Sequence, residues 1–248
     1  MTVYPLSEGT FTIDASKRFI PFDPGSDRLE QRPKGSLLVE IQPFCVVTRS
    51  EVVVLDTGLG QKGPDGTLQI HQNLAQAGLS ATDVSWVLLS HLHADHAGGI
   101  GLDLSTSGEQ RLAFPQARYC VQRQELEHAY RQGGPSYHPR ELEVLASSDQ
   151  LLLLDGDGQL GTGIRYARSG GHAPNHQVFW LEEQGQTLFF GGDEAPQLQQ
   201  MKHRFIAKYD FDGRRAMELR KAWWEQGRWE AWTFLFYHDL KSPTAVPG

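Results

Sequence analysis

Three histidines and one aspartate fall within six positions: His91, His93, Asp95 and His96, in the run Ser90-His91-Leu92-His93-Ala94-Asp95-His96-Ala97-Gly98-Gly99. Imidazole and carboxylate are the groups Zn²⁺ takes, and mixed nitrogen and oxygen sites also suit Fe and Mn. Crowded imidazoles would repel one another if protonated, so nothing in an ordinary turn favours three of them together. A shared metal does. The apolar run Val84-Ser85-Trp86-Val87-Leu88-Leu89 just before them reads as a buried strand. Gly98 and Gly99 just after them let backbone pass close to a neighbour.

The same pattern, an apolar run that ends in glycine and a ligand-type residue, recurs along the chain. Gly170-Gly171-His172-Ala173-Pro174-Asn175-His176 follows a strand-like run at Ile164 to Ser169. Gly191-Gly192-Asp193 follows Thr187 to Phe190, and His238-Asp239 follows Trp229 to Tyr237. The candidate ligands are therefore His91, His93, Asp95, His96, His172, Asp193 and His238. One catalytic metal needs about three protein ligands plus water, so seven are too many for one ion and suit two. In two-metal sites the ions lie roughly 3.5–4 Å apart and share a bridging carboxylate and hydroxide. Asp56, in Asp56-Thr57-Gly58-Leu59-Gly60, reads either as a turn-forming cap or as a carboxylate that orients a ligand histidine.

The remaining elements must position these strand ends. Gly9 to Asp14 alternates like a strand, and Pro21, Pro24, Gly25 and Pro33 mark an irregular stretch, read as a wrapping arm. Ser36 to Thr48 and Glu51 to Leu55 read as two β runs of a hairpin that turns at Arg49-Ser50. Leu68 to Ala77 has helical spacing and Gly78 ends it. Leu102 to Ser107 reads as loop, Ala117 to Val121 as strand and Gln122 to Gln132 as a solvent-facing outer helix. His71 and His128 then read as solvated helix residues, and Tyr137 and His138 as part of a plain loop. Leu151 to Leu154 is a strand, Asp155 to Gly158 a turn, and Asp212 to Gln226 a long helix. The rhythm is β-rich, helical, β-rich, helical, which predicts two sheets with helices outside and not a doubly wound parallel sheet.

With 248 residues, the chain can bury roughly three-quarters of its extended surface without staples. A net charge of -7 argues against a general nucleic-acid or anionic-membrane binder. No run is long enough to span a bilayer and no leader pattern opens the chain, so a cytoplasmic protein is expected. Cys45 and Cys120 sit in apolar runs and read as buried free thiols.

Taken together, the Asp56 turn, the His91-x-His93-x-Asp95-His96 cluster, Gly171-His172, Gly192-Asp193 and His238 resemble the metallo-β-lactamase-fold hydrolase superfamily. The likeness runs nearest to lactonase-type members, which include N-acyl-homoserine lactone hydrolases. It implies an α+β fold, a four-layer αββα sandwich, as one domain over residues 1–248 with 1–35 as an N-terminal strand and wrapping arm. It also implies roles. His91, His93 and His172 would hold a first metal, Asp95, His96 and His238 a second, and Asp193 would bridge them. Asp56 and His176 would fix ligand tautomers from behind. The cofactors would be two divalent ions, Zn first, with Mn or Fe also suited.

The implied reaction is hydrolysis of a lactone or other carboxylic ester, with Asp95 as the catalytic carboxylate. The alternatives are a phosphodiesterase or nuclease on the same fold, or an iron-dependent redox or sulfur dioxygenase-like protein. The implied partner is a small-molecule substrate, with no nucleic acid and no membrane, and a homodimer is compatible with it. Two positions depart from the pattern. Asn175 stands where Gly is common, and Pro196 stands where quorum-quenching lactonases carry Tyr. Tyr209 and Tyr237 are the candidates to replace that Tyr. Substrate-binding residues are not readable from the motifs.

Overall fold

In the strands, successive side chains point to opposite faces, and in this chain they serve different cores. In the computed structural model, which describes residues 1–103 and 110–248, Phe44, Val46, Val53, Leu55, Leu88 and Cys120 face one core. Their chain neighbours Cys45, Val54, Val87, Tyr119 and Val121 face another. The later strands split likewise: Phe179, Leu181, Leu188, Phe190 and Leu235 join the first core, whereas Val178, Trp180, Phe189 and Phe234 face a third. Apolar residues on both faces mean that both sheets are covered on both sides. Each fully buried Leu, Val or Phe in such cores contributes about 1.5–3 kcal/mol.

The first sheet has the order Thr2–Pro5, Phe44–Val47, Val52–Leu55, Trp86–Leu88, Arg118–Gln122, Leu151–Leu154. The second has the order Gly158–Leu160, Ile164–Arg168, Gln177–Glu183, Gln186–Phe190, Thr233–Leu235, Thr244–Ala245. They face each other across the central core. Helices Gln69–Gln76, Arg123–Gln132 and Pro139–Ala146 pack outside the first sheet through Ile70, Leu74, Leu126, Ala129, Leu142 and Leu145. Helix Gly213–Trp229 packs outside the second through Trp223. The layers are helix, sheet, sheet, helix, with mixed strand directions. Both Cys45 and Cys120 are buried free thiols. Among the described residues no helix is long and apolar enough to cross a membrane.

Several boundaries differ from the sequence reading. The run Ser36 to Thr48 is two strands, not one. Leu37–Ile41 joins Gly9–Ile13 and Phe19–Pro21 in a separate three-stranded sheet, and the chain breaks at Gln42-Pro43 before Phe44–Val47 enters the first large sheet. Three short strands, Thr2–Pro5, Gly9–Ile13 and Phe19–Pro21, precede the irregular stretch expected as an arm, which runs from Phe22 to Ser36 with one 3₁₀ turn at Leu29–Gln31, and Thr2–Pro5 extends the first sheet edge against Phe44–Val47. The strand expected over Trp229 to Tyr237 shrinks to Thr233–Leu235, because the long helix continues to Trp229. Gly227 sits so close to the Phe234 ring that no side chain fits between, and Ala231 reverses the chain at φ 54°. Helix Arg123–Gln132 is not all solvent-facing, because Glu125, Leu126 and Ala129 are buried. His71 is not solvated either: its ring packs edge-on against Phe114 at 5.3 Å, and burial pushes its pKa down. Of the loop expected over Leu102 to Ser107, the part from Leu104 on lies outside the described residues, and Gly101–Asp103 pairs with Gln110–Leu112.

Strand direction positions the site. Val52–Leu55 and Trp86–Leu88 run parallel, as do Gln186–Phe190 and Thr233–Leu235. Parallel neighbours present their C-terminal ends at one edge, so Asp56, His91, Asp193 and His238 all follow strand ends there. A buried glutamine pair ties the two sheets below that edge. Gln122 donates to the Gln177 side-chain oxygen at 2.9 Å, and Gln177 donates to the Leu89 carbonyl at 2.8 Å.

Candidate metal centre

His91 leaves the end of Trp86–Leu88, and His93 begins the one-turn helix Ala94–Ala97, which carries Asp95 and His96. Gly98 and Gly99 seat that helix on the Asp56 turn. A Cβ on Gly99 would collide with the Thr57 carbonyl oxygen, and one on Gly98 with that of Leu59. Thr57 in turn donates its amide to the His96 carbonyl at 2.7 Å and its hydroxyl at 3.0 Å. His172 and His176 lie in the loop between Ile164–Arg168 and Gln177–Glu183. Asp193 sits in the turn after Gln186–Phe190.

All seven candidate ligands meet. His91 Nε2 lies 2.9 Å from His93 Nδ1, which lies 3.2 Å from His172 Nε2. Asp95 Oδ2 lies 3.6 Å from His96 Nε2 and 3.5 Å from His238 Nε2. Between the two groups stands Asp193. Its Oδ2 is 3.2 Å from His172 Nε2, while its Oδ1 is 3.2 Å from His96 Nε2 and 3.0 Å from His238 Nε2. The sets His91/His93/His172, His91/His96/Asp193 and Asp95/His96/His238 each hold their ligand atoms within 4.8 Å of one another.

Most of these imidazoles are fixed from behind by an acceptor. His238 Nδ1 donates to the Glu40 carbonyl at 2.7 Å, so its Nε2 bears the lone pair. His96 Nδ1 meets Asp56 Oδ2 at 2.7 Å, and His172 Nδ1 meets Asp210 Oδ1 at 3.0 Å. The Ser90 hydroxyl donates to Asp56 Oδ2 at 2.7 Å and so accepts from His91 Nδ1 at 3.1 Å. Asp56 thus bonds His96 directly and His91 through Ser90, while the Ser90 amide donates to its Oδ1 at 2.6 Å. His176 touches no ligand ring nitrogen by hydrogen bond. Its Nε2 accepts the Asp193 amide at 3.2 Å and its Nδ1 meets the Ser169 hydroxyl at 2.8 Å, so it holds the backbone of Asp193 instead.

The charge balance fits cations. Burial and the imidazoles of His96, His93, His176 and His172 push the His91 pKa well below its usual value. Burial also opposes a charged His96, but Asp193, Asp95 and Asp56 outweigh it and hold its pKa well above normal. Asp193 is held well below the carboxylate range, because His238, His96 and His172 outweigh its burial. His96 Nε2 and Asp193 Oδ1 are buried with no hydrogen-bond partner although they face each other. Converging lone pairs and unpaired buried acceptors form a donor set that a metal satisfies and protein hydrogen bonds do not.

Four residues at the site were not legible as such in the sequence. Asp210 backs His172 but comes from an acidic, aromatic run, Tyr209-Asp210-Phe211-Asp212, with no spacing cue. Tyr137, read as loop, is buried with its ring 4.8 Å from His93. It donates to Glu125 Oε1 at 3.3 Å, and the Leu92 amide donates there too, at 3.1 Å. Glu194 Oε1 accepts from the His172 amide at 3.0 Å. His128 stays at the helix surface near Tyr137, and His138 is exposed beside Glu141.

Comparison with known proteins agrees with this geometry. An N-acyl homoserine lactonase, AttM, from Azorhizobium caulinodans is 34% identical over 113 residues, which cover 41% of this chain and 37% of that protein. An N-acyl homoserine lactonase from Bacillus cereus is 25% identical over 169 residues, or 68% of this chain and 61% of the relative. The match therefore spans less than two thirds of each relative. Among solved structures, a probable metal-dependent hydrolase from Staphylococcus aureus superposes with a TM-score of 0.80 at 19% identity, covering 99% of this chain and 91% of that one. AidC, a dizinc quorum-quenching lactonase, superposes with a TM-score of 0.74 at 20% identity, covering 98% and 89%. The family model of the metallo-beta-lactamase superfamily matches residues 41–228, and with that match over most of its length the chain belongs to the metallo-β-lactamase superfamily.

Proposed function

We propose that this protein is a dinuclear metal hydrolase that opens a lactone or another carboxylic ester. The observation that carries the reading is Asp193, whose two oxygens face different imidazole groups, Oδ2 toward His172 and Oδ1 toward His96 and His238. On this reading His91, His93 and His172 would hold one ion and Asp95, His96 and His238 the other, with Asp193 between the two groups. Two divalent ions bound there, Zn first among them, would supply an acidified water near neutral pH and a Lewis acid for the substrate carbonyl.

The chain's own groups do the rest. Hydrolysis adds one water across the acyl C–O bond, so the products are a carboxylic acid and an alcohol, and the leaving oxygen needs a proton. Asp95, 3.5 Å from His238 Nε2 and beside the centre, is the carboxylate placed to take the proton of the attacking water and return it to that oxygen. Of the two tyrosines considered for the Pro196 position, Tyr237 has its hydroxyl committed to the Asp95 carbonyl at 2.6 Å. Tyr209 is exposed, with its ring 6.0 Å from His172. Phe205, Ile206 and Phe211 are exposed in the same segment and support a small substrate with an apolar part.

The test is turnover of a panel of lactones, esters, thioesters and phosphodiesters by protein loaded in turn with Zn, Mn and Fe. Lactones or carboxylic esters are expected to turn over fastest, with activity lost to a chelator and restored by metal. A preference for phosphodiesters would overturn the reading.

A further inference from the structure

The two imidazole groups are backed by different parts of the fold. His96 leans on Asp56, at the end of a central strand in the middle of the first sheet. His172 leans on Asp210, which belongs to the segment joining helix Leu198–Lys202 to helix Gly213–Trp229. That segment is tied to the His172 loop by two backbone hydrogen bonds, and Glu194 and Arg220 brace the surroundings. The Phe211 amide donates to the His172 carbonyl at 3.0 Å, and the Asp212 amide to the Gly171 carbonyl at 2.7 Å. Glu194, directly after Asp193, accepts from the Gly171 and His172 amides through Oε1. Arg220, the buried arginine of the long helix, donates from Nη1 to the Glu194 carbonyl at 2.9 Å and from Nη2 to the Phe205 carbonyl at 2.7 Å.

From this arrangement we infer that Asp210 is a positioning residue for the metal held by His91, His93 and His172, and that the Arg220 fork and the Glu194 carboxylate keep it in place. The inference rests on the reading of the centre given above. Asp210 is 1% exposed at its side chain, and His172 Nδ1 is its hydrogen-bond partner. Its second oxygen, Oδ2, is buried without one, as are Glu194 Oε2 and Arg220 Nε. Burying so much unpaired polarity is costly, and a side chain that served packing alone would be apolar. The guanidinium offsets the two carboxylates, since Asp210 and Glu194 both favour its charge against its burial. The outcome is one imidazole with its Nδ1 proton fixed outward and its Nε2 lone pair aimed at His93 and Asp193. Such an outer carboxylate typically carries 10–100-fold in metal affinity.

The experiment compares the full chain with Asp210→Asn and Asp210→Ala. The metal readouts are Zn content after graded chelator competition and the visible absorption of Co(II)-loaded protein. Circular dichroism of the metal-free forms checks the fold. Asp210→Ala is expected to release one of two metals about 10–100-fold more readily, with the other unchanged and an altered cobalt spectrum. Asp210→Asn, whose amide oxygen still accepts from His172, is expected to lie between. Asp210→Ala that keeps both metals at wild-type affinity would overturn the proposal. So would equal loss of both metals with no rescue by Asn. A wild-type chain that takes up no metal overturns the reading of the centre itself, so the wild type tells the two failures apart.

Discussion

The ring of Tyr237 lies flat against His96, with centroids 4.0 Å apart and planes within 21°, and its hydroxyl donates to the Asp95 carbonyl at 2.6 Å. One residue from the end of the second sheet thus grips two adjacent candidate ligands from the first. Tyr237→Phe keeps the stack and deletes the hydrogen bond. It should cost about 1–2 kcal/mol in denaturant unfolding and lower turnover a few-fold while both metals stay bound. Unchanged stability would show that the hydroxyl does not hold Asp95.

Gly99→Ala tests how tightly the ligand helix is seated. A methyl there would strike the Thr57 carbonyl oxygen, which is backbone and cannot swing away. The expected cost is about 1–3 kcal/mol, with weaker metal retention, because Asp95 and His96 move with the helix. Unfolding and metal content measured on the same preparation check both halves. A wild-type melting temperature would mean that the turn yields without cost.

Glu125 gives a pH dependence with a definite sign. Burial raises its pKa from 4.5 to about 7, against the Leu92 amide and the Tyr137 hydroxyl. The folded state therefore holds a proton that the unfolded chain releases. Its contribution to stability is complete below pH 4.5 and is lost as the pH rises to about 7, a loss of about 3 kcal/mol. Glu8, raised from 4.5 to about 7 chiefly by burial, adds a slope of the same sign. Unfolding of metal-free wild type and Glu125→Gln at pH 5 and pH 8 should show the smaller decline in the variant. Parallel declines would remove Glu125 as a cause.

Much of this was readable from residue order because ligand and scaffold obey short-range rules. His91, Asp193 and His238 each follow an apolar run that contains a buried strand, Trp86–Leu88, Gln186–Phe190 and Thr233–Leu235. Parallel pairing then carries those ends to one edge, whatever the intervening loops do. The departure at Asn175 has a tertiary reason: its side-chain amide donates to the Gln124 carbonyl at 3.0 Å and pins the His172 loop to helix Arg123–Gln132. What stayed hidden depends on tertiary contact. Asp210 and Glu125 look like surface acids among many others until Arg220 and Tyr137 are packed beside them. The break at Gln42-Pro43 separates two strands that are both largely apolar, Leu37–Ile41 and Phe44–Val47, so apolar content alone does not divide them. Near the end of the last helix Gly227 meets the Phe234 ring, a contact seven residues apart that apolar periodicity does not reveal.

The most direct test of the account is the metal content of the purified chain beside Asp193→Ala, counted by mass spectrometry of the native protein. Two divalent ions per wild-type chain are predicted, falling to one or none in the variant, together with loss of most ester hydrolysis. A variant that kept both ions and its full rate would contradict it.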